Sequence, residues 1–406
     1  MQVRAITAFL DPGWPLDTAS IQRAANGLFR ISRALQEAGY SVQTLRLATP
    51  PPAEMVSPVP AEALVHFARQ LEAEAIAHGL DFVALGPVLL DDLRAYEHLP
   101  EVLAETEVVF ASGLYADASS GVSLPAARAC ARAIQSISQI SADGFGNLRF
   151  AGLVRVPAGT PFFPAAYHGG GPACVAIATE AADLAVQAVR SGSHAAEVRK
   201  NLIQSIERHA SALSQAASRA AREEKMRFTG IDFSLAPYPE PQRSIGTAVE
   251  ELGAAAFGQA GSAAAVAFLA DTLARANFTQ AGFCGLFLPV LEDSVLAARA
   301  AEGRLQISDL LLYSTLCGTG LDTIPLPGSV RVEALNALLV DLGVIGLRHV
   351  KPLTARLMPI PGKAAGDPVH FDFAYFADSA VMSLPEAGLS GALSASDLLD
   401  IGSRGF

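Results

Sequence analysis

The stretch "VRAITAFLDPGWPLDTASIQRAANGLFRISRALQEAGYSVQTLRLA", Val3–Ala48, decides how the chain is read. "VRAITAFL" is strand-like. A helical pattern runs from Thr18 to Ala38 and is closed by Gly39, a favoured residue just past a helix end. "SVQTLRLA" then reads as a second strand. The same alternation continues. A helix is expected near Ala61–His78, strands at "DFVALGPV" and "EVVFASGLY", and a helix at "SLPAARACARAIQSIS" with Ser123 as N-cap and Pro125 in its first turn. In the second half "LRFAGLVRV", "ACVAIA", "FTGIDFSLAP", "GFCGLFLPV", "LDTIPLP", "LTARLMPIP" and "VHFDFAYF" read as strands between helices. Near-continuous apolar strands between amphipathic helices imply a parallel-rich sheet covered on both faces. An α/β barrel or a large doubly wound α/β sheet fits, as one domain over residues 1–406. A Pro-rich linker at 49–60 is expected to cross the surface.

Composition narrows the function. The 406 residues are 51% hydrophobic and only 17% charged, against about a quarter charged in ordinary soluble chains. No run reaches the roughly 20 apolar residues of a spanning helix. "MQVRAITAFLD" lacks the pattern of a signal peptide, so a cytoplasmic protein with no membrane partner is expected. Net charge −11 without a basic cluster argues against nucleic acid as a partner. The four cysteines form no C-x-x-C, which speaks against disulfides and structural zinc.

Polar residues at the ends of apolar strands carry the functional expectation. Asp232, Glu292, Asp293, Asp322 and Asp367 stand there, where α/β folds place binding and catalysis. Each alone is as well explained as a cap or turn residue. In "YHGGGPA", Tyr167–Ala173, His168 is the best acid/base, and Gly169, Gly170 and Gly171 let backbone approach a ligand. A lipase-type reading of that loop fails, because no G-x-S-x-G nucleophile elbow occurs. Cys317, beside a Gly-rich turn, could be nucleophilic, or a small buried hydrophobe.

Six stretches in order, "TPFFPAAYHGGGP", "IDFSLAPYP", "GSAAAVAFLADTLARAN", "GLFLPVLED", "CGTGLDTIPLPG" and "KPLTARLMPIPGKAAGD", resemble the uncharacterised domain-of-unknown-function family 711. That family is placed by fold beside pyruvate formate-lyase. The resemblance implies a barrel of about ten strands in two half-barrels with helices outside, although fold kinship does not transfer a reaction. Asp232, Glu292, Asp293, Cys317, Asp322, Lys351, Arg356 and Asp367 match the family pattern. Pro172 replaces an acid, and Ser262-Ala263 replaces a threonine pair. The terminal "SRGF" gives Gly405 no flanking chain to bury it, which argues against a glycyl radical.

The expectation is a non-radical enzyme acting on a small anionic metabolite. His168, Asp232, Glu292, Cys317 and Asp322 would be catalytic. Gly169–Gly171, Lys351, Arg356 and Asp367 would hold substrate. Asp232, Glu292 and Asp322 could bind Mg²⁺ or Ca²⁺. The alternative is a non-catalytic small-molecule binder or scaffold. The Ala-rich "HASALSQAASRAAREE", His209–Glu224, would suit a homodimer interface.

Overall fold

In the computed structural model, which describes residues 1–56 and 61–403, the opening unit forms as its pattern predicts. Strand β1 (Gln2–Phe9) leads to helix α1 (Thr18–Glu37), and β2 (Val42–Ala48) runs parallel to β1. The carboxylate of Asp17 accepts from Ala19 N at the start of α1, and Gly39 follows its end at φ +90°. Glycine alone adopts that left-handed conformation cheaply.

The remaining strands longer than two residues are β3 (Phe82–Ala84), β4 (Val109–Asp117), β5 (Gly121–Ser123), β6 (Phe150–Val154), β7 (Cys174–Glu180), β8 (Arg227–Asp232), β9 (Gly320–Pro327) and β10 (Leu353–Ile360). Between them lie helices α2 (Pro52–Met55), α3 (Ala61–Ala77), α4 (Ala95–Ala104), α5 (Leu124–Ile137), α6 (Ala182–Ser191), α7 (Ala195–Glu223), α8 (Ile245–Glu251), α9 (Ser262–Ala274), α10 (Ser294–Ala301), α11 (Ile307–Ser314) and α12 (Val332–Arg348). No helix among the described residues is long and apolar enough to cross a membrane.

Neighbouring strands follow the order β8-β7-β1-β2-β3-β4-β6-β10-β9. All pairs in this order are parallel except β1 with β7 and β6 with β10, so two antiparallel seams divide three parallel runs. The expected closed barrel is not formed by strand ladders among the described residues. A large, mostly parallel α/β sheet is what the hydrogen bonds make. "GFCGLFLPV", expected as a strand, contributes single bridges instead: with its neighbours it links Gln280 to Ile231, Leu286 to Leu235 and Pro289 to Asp322. Positive φ at Gly282 and Cys284 breaks its extended run, and Pro289 offers no N–H for a ladder. "VHFDFAYF" likewise forms no regular strand beyond Val369; its rings instead pack with Phe145. Sequence reading passed over α4.

Period-two alternation sorts the side chains. Ile6, Ala8, Leu45, Leu47, Val83, Val109, Ala111, Val175, Ile177, Leu353 and Leu357 join one buried cluster with Leu28, Ile31, Leu99, Ile134, Leu202, Leu335 and Leu339 of the helices. On the alternate positions, Phe9, Ala48, Ala84, Phe110 and Ala176 pack with Phe163 and Ala166, and Ala151 and Leu153 pack with Phe162, Phe283 and Phe287. Both faces are covered, as apolar strands demand. The second cover is irregular chain, not helix.

One further expectation changes. The Pro-rich stretch does not begin on the surface: Thr49–Pro52 are buried, and a Cβ on Gly86 would collide with the Pro50–Pro51 backbone. Residues 57–60 lie outside the described residues. The Ala-rich half of α7 puts Ala210, Leu213, Ala217, Ala220 and Ala221 into the chain's own core and leaves Ser211, Gln215 and Arg219 exposed on its other face.

Candidate functional site

The inner positions of the strands bring charged groups together. Arg4 on β1, Arg46 on β2 and Arg356 on β10 border a cavity of about 410 Å³, with Glu292 on its wall. Phe82, Phe110, Phe145, Phe162, Phe163, Phe373 and Tyr375 supply aromatic surface. The volume lies in the usual range for small-ligand pockets.

One buried network dominates the wall. Arg356 donates through Nε to Asp322 Oδ1 at 2.6 Å and through Nη2 to Glu292 Oε1 at 2.7 Å. Arg4 donates to the other Glu292 oxygen. Burial would raise the Glu292 carboxyl, but Arg4 and Arg356 on either side hold it below the ordinary carboxylate range. Asp322 goes the other way. Burial raises it, Arg356 offsets only part of the rise, and the charge of Glu292 adds to it. Asp322 Oδ2 is buried with no hydrogen-bond partner. The two carboxylates thus differ in proton affinity although they share one guanidinium.

Arg46 is different. Its Nε donates to Thr44 Oγ1 at 2.8 Å, and its guanidinium lies 5.0 Å from the Phe163 ring centre and 5.5 Å from that of Phe82. Among the described residues it forms no ion pair. Burial, with Arg4 nearby, brings it down to about 9, which leaves it charged at neutral pH. Glu180 is engaged by Arg243 and Gln43, and the terminal nitrogens of Arg149 donate to the carbonyls of Leu103, Thr106 and Val109.

Other expected residues lie elsewhere. His168 is buried, its N–H donates to Thr49 O, and its Nε2 stands 3.1 Å from Gly171 O. It does not border the cavity. Gly170 and Gly171 have φ of +86° and +81°, are exposed, and nothing lies within 4 Å of where a Cβ would stand. Their need is conformational: they turn the chain so that Gly171 O meets the His168 ring. Gly169 instead avoids Ala158. Cys317 is buried and borders a separate outer cleft with Cys284 and Lys351. Lys351 Nζ donates to Thr315 O at 2.9 Å and Cys317 O at 2.5 Å, so it caps the C-terminal end of α11. Asp367 closes a turn by accepting from Ala364 N.

Asp232 ends β8 and accepts from Ser234 Oγ, Phe283 N and Cys284 N. A Cβ on Gly282 would stand 2.5 Å from its Oδ2. Burial raises this carboxyl to about 6, with the three hydrogen bonds opposing the rise. A carboxyl raised on folding stabilises most below its unfolded value and loses that contribution as pH rises through the folded value. Between about pH 4 and pH 7 ionisation of Asp232 should therefore withdraw up to about 3 kcal/mol. Urea unfolding of wild type and Asp232→Asn across that range checks it. The stability of wild type relative to the variant should fall as pH rises, and a flat difference would place the Asp232 pKa near its ordinary value.

Asp232, Glu292 and Asp322 do not assemble a metal site. No group of three or more His, Cys, Asp or Glu suited to a metal occurs among the described residues. Glu292 and Asp322 are engaged by guanidinium groups, whose charge opposes a divalent cation, and Asp232 is filled by backbone and hydroxyl donors. The residues present do not fit Mg²⁺ or Ca²⁺.

The family model described as "Uncharacterised ACR (DUF711)" matches residues 1–378. The chain belongs to the DUF711 family. Relatives named "UPF0210 protein" include one from Pyrobaculum islandicum, 33% identical over 355 residues that cover 83% of this chain and 78% of the relative. Another, from Desulfovibrio desulfuricans, is 28% identical over 412 residues covering 95% and 88%. In this DUF711 chain, Glu292, Asp322 and Arg356 were legible from the sequence, whereas Arg4 and Arg46 were missed. Part of their signal was present: each is the lone charge of its strand, and Arg46 alternates with Leu45 and Leu47, whereas Arg4 shares the parity of Ile6 and sits where the pairing register shifts between Val3 and Ala5.

Proposed function

We propose that this protein is an enzyme that takes a small organic anion into the sheet-lined cavity and acts on it by non-radical acid/base chemistry. Arg46 carries this reading, as a charged side chain on an aromatic-walled cavity with no carboxylate paired to it among the described residues. Beside it stand two carboxylates whose environments push their proton affinities apart, a pattern that separates acid from base roles. Glu292, ionised and on the wall, is the group placed to accept a proton. Asp322 acts through Arg356 by fixing where that guanidinium points. We also read the sheet as a barrel built from two halves, closed at the β8–β9 gap by Gln280–Pro289. The bridges on both sides of that segment and the antiparallel seams support this.

The test is a thermal-shift survey of small organic acids followed by turnover assays on any that stabilise the protein. Glu292→Gln should lower turnover on the order of 100-fold or more while changing affinity only a few-fold, the signature of a group acting in the chemical step. Equal turnover in the variant would remove Glu292 from the chemistry. A non-catalytic binder is the second reading, favoured because both Glu292 oxygens already accept from arginines. It predicts binding with no turnover in the wild type.

A further inference from the structure

We infer that the ligand class of this cavity is a monocarboxylate with an aromatic body, held by Arg46. This rests on the anion-binding reading above and narrows it. Three observations lead there.

The first is the orientation of the guanidinium. Its Nε is committed to Thr44 Oγ1, and the rings of Phe82 and Phe163 lie within cation–π range. Nη1 and Nη2 have no hydrogen-bond partner among the described residues. A positioned guanidinium with two free terminal nitrogens offers the fork that a planar carboxylate accepts in bidentate fashion.

The second is the charge count. Arg4 and Arg356 are matched by Glu292 and Asp322, and Arg243 by Glu180. Arg149 is spent on three backbone carbonyls, while Glu107 adds a negative charge to the lining. Arg46 and Arg149 are thus the lining cations without a contacting carboxylate among the described residues, and with Glu107 set against them the lining keeps an excess of one positive charge. A monoanion neutralises it, whereas a phosphate monoester would bring a second charge with nothing free to meet it, a costly burial.

The third is the wall. Phe110 and Phe163 meet edge to face with centroids 5.4 Å apart, and Phe145 and Phe373 do so at 5.2 Å. Such rings favour an aromatic guest through edge and offset contacts beyond simple area burial. The volume of about 410 Å³ accommodates a phenyl ring with a short side chain.

Isothermal titration calorimetry on the full chain at pH 7.5 tests this with 3-phenylpropanoate, 3-phenylpropan-1-ol, acetate and phenyl phosphate. The expected result is that 3-phenylpropanoate binds more tightly than the other three. Arg46→Gln should weaken it on the order of 30-fold. Arg46→Lys, which keeps the charge without the fork, should give an intermediate loss, with circular dichroism and the urea midpoint confirming that both variants fold. Acetate or phenyl phosphate binding as tightly, with the same loss in Arg46→Gln, would overturn the aromatic monocarboxylate and leave the anion site standing. Binding of 3-phenylpropanoate that Arg46→Gln does not weaken would overturn both. If none of the four binds, the ligand class is overturned.

Discussion

Replacing Arg356 by Met is expected to destabilise the protein by about 3–5 kcal/mol, because it strands the buried carboxylate of Asp322 and takes one of two arginines from Glu292. Arg356 is 4% exposed, and its two carboxylate partners are 4% and 1% exposed. In the variant Glu292 would keep Arg4, but Asp322 would lose its only hydrogen-bonded partner among the described residues. The loss should not add to that of the partners. Combining Arg356→Met with Asp322→Asn and Glu292→Gln removes the uncompensated charges and should recover part of the stability. The pH dependence follows from linkage. Without Arg356 the Asp322 carboxyl rises further and the depression of Glu292 is relieved, so the penalty should shrink as pH falls toward their folded values. Urea unfolding at neutral and mildly acid pH checks both expectations. A loss below about 1 kcal/mol would mean that the network is as well solvated as a surface pair.

Asp293→Ala should cost a similar amount, about 3–5 kcal/mol, through lost hydrogen bonds and caps. Asp293 is fully buried and joins two helix N-termini. Its Oδ1 accepts from Val295 N and Leu296 N at the start of α10 and from Ser244 Oγ at the start of α8, while its Oδ2 accepts from Ile245 N and Gly246 N. Alanine orphans five donors in the interior. Asp293→Asn, which keeps one oxygen, should be milder. The midpoint of urea unfolding should fall with little change in slope. Domain stability is about 5–15 kcal/mol, so either substitution takes a large share. The bland reading of Asp293 as a cap was the right one, although sequence could not reveal that it caps two helices.

Much of the fold was written locally. The helix at Thr18–Glu37, the Ser123 cap, the break in "SGSH" between α6 and α7, and most strands follow from periodicity and end signals, which need only neighbours in the chain. "GFCGLFLPV" shows the limit. Its apolar run reads as a strand, yet its glycine and Cys284 adopt positive φ while Asp232, some fifty residues earlier, accepts from its backbone. The site divides in the same way. Glu292, Asp322 and Arg356 could be named from one-dimensional clues, but their partnership could not. His168, the strongest sequence candidate, meets its own loop, and Lys351 meets a helix end.

Residue spacing and order were enough for the alternation of strand and helix, the two-faced burial of the strands and the family. Only the folded chain leaves Arg46 without an ion pair among the described residues, between phenylalanines, while Arg4 and Arg356 are neutralised. That outcome depends on which strands become neighbours and which side of each faces inward, and long-range pairing sets both.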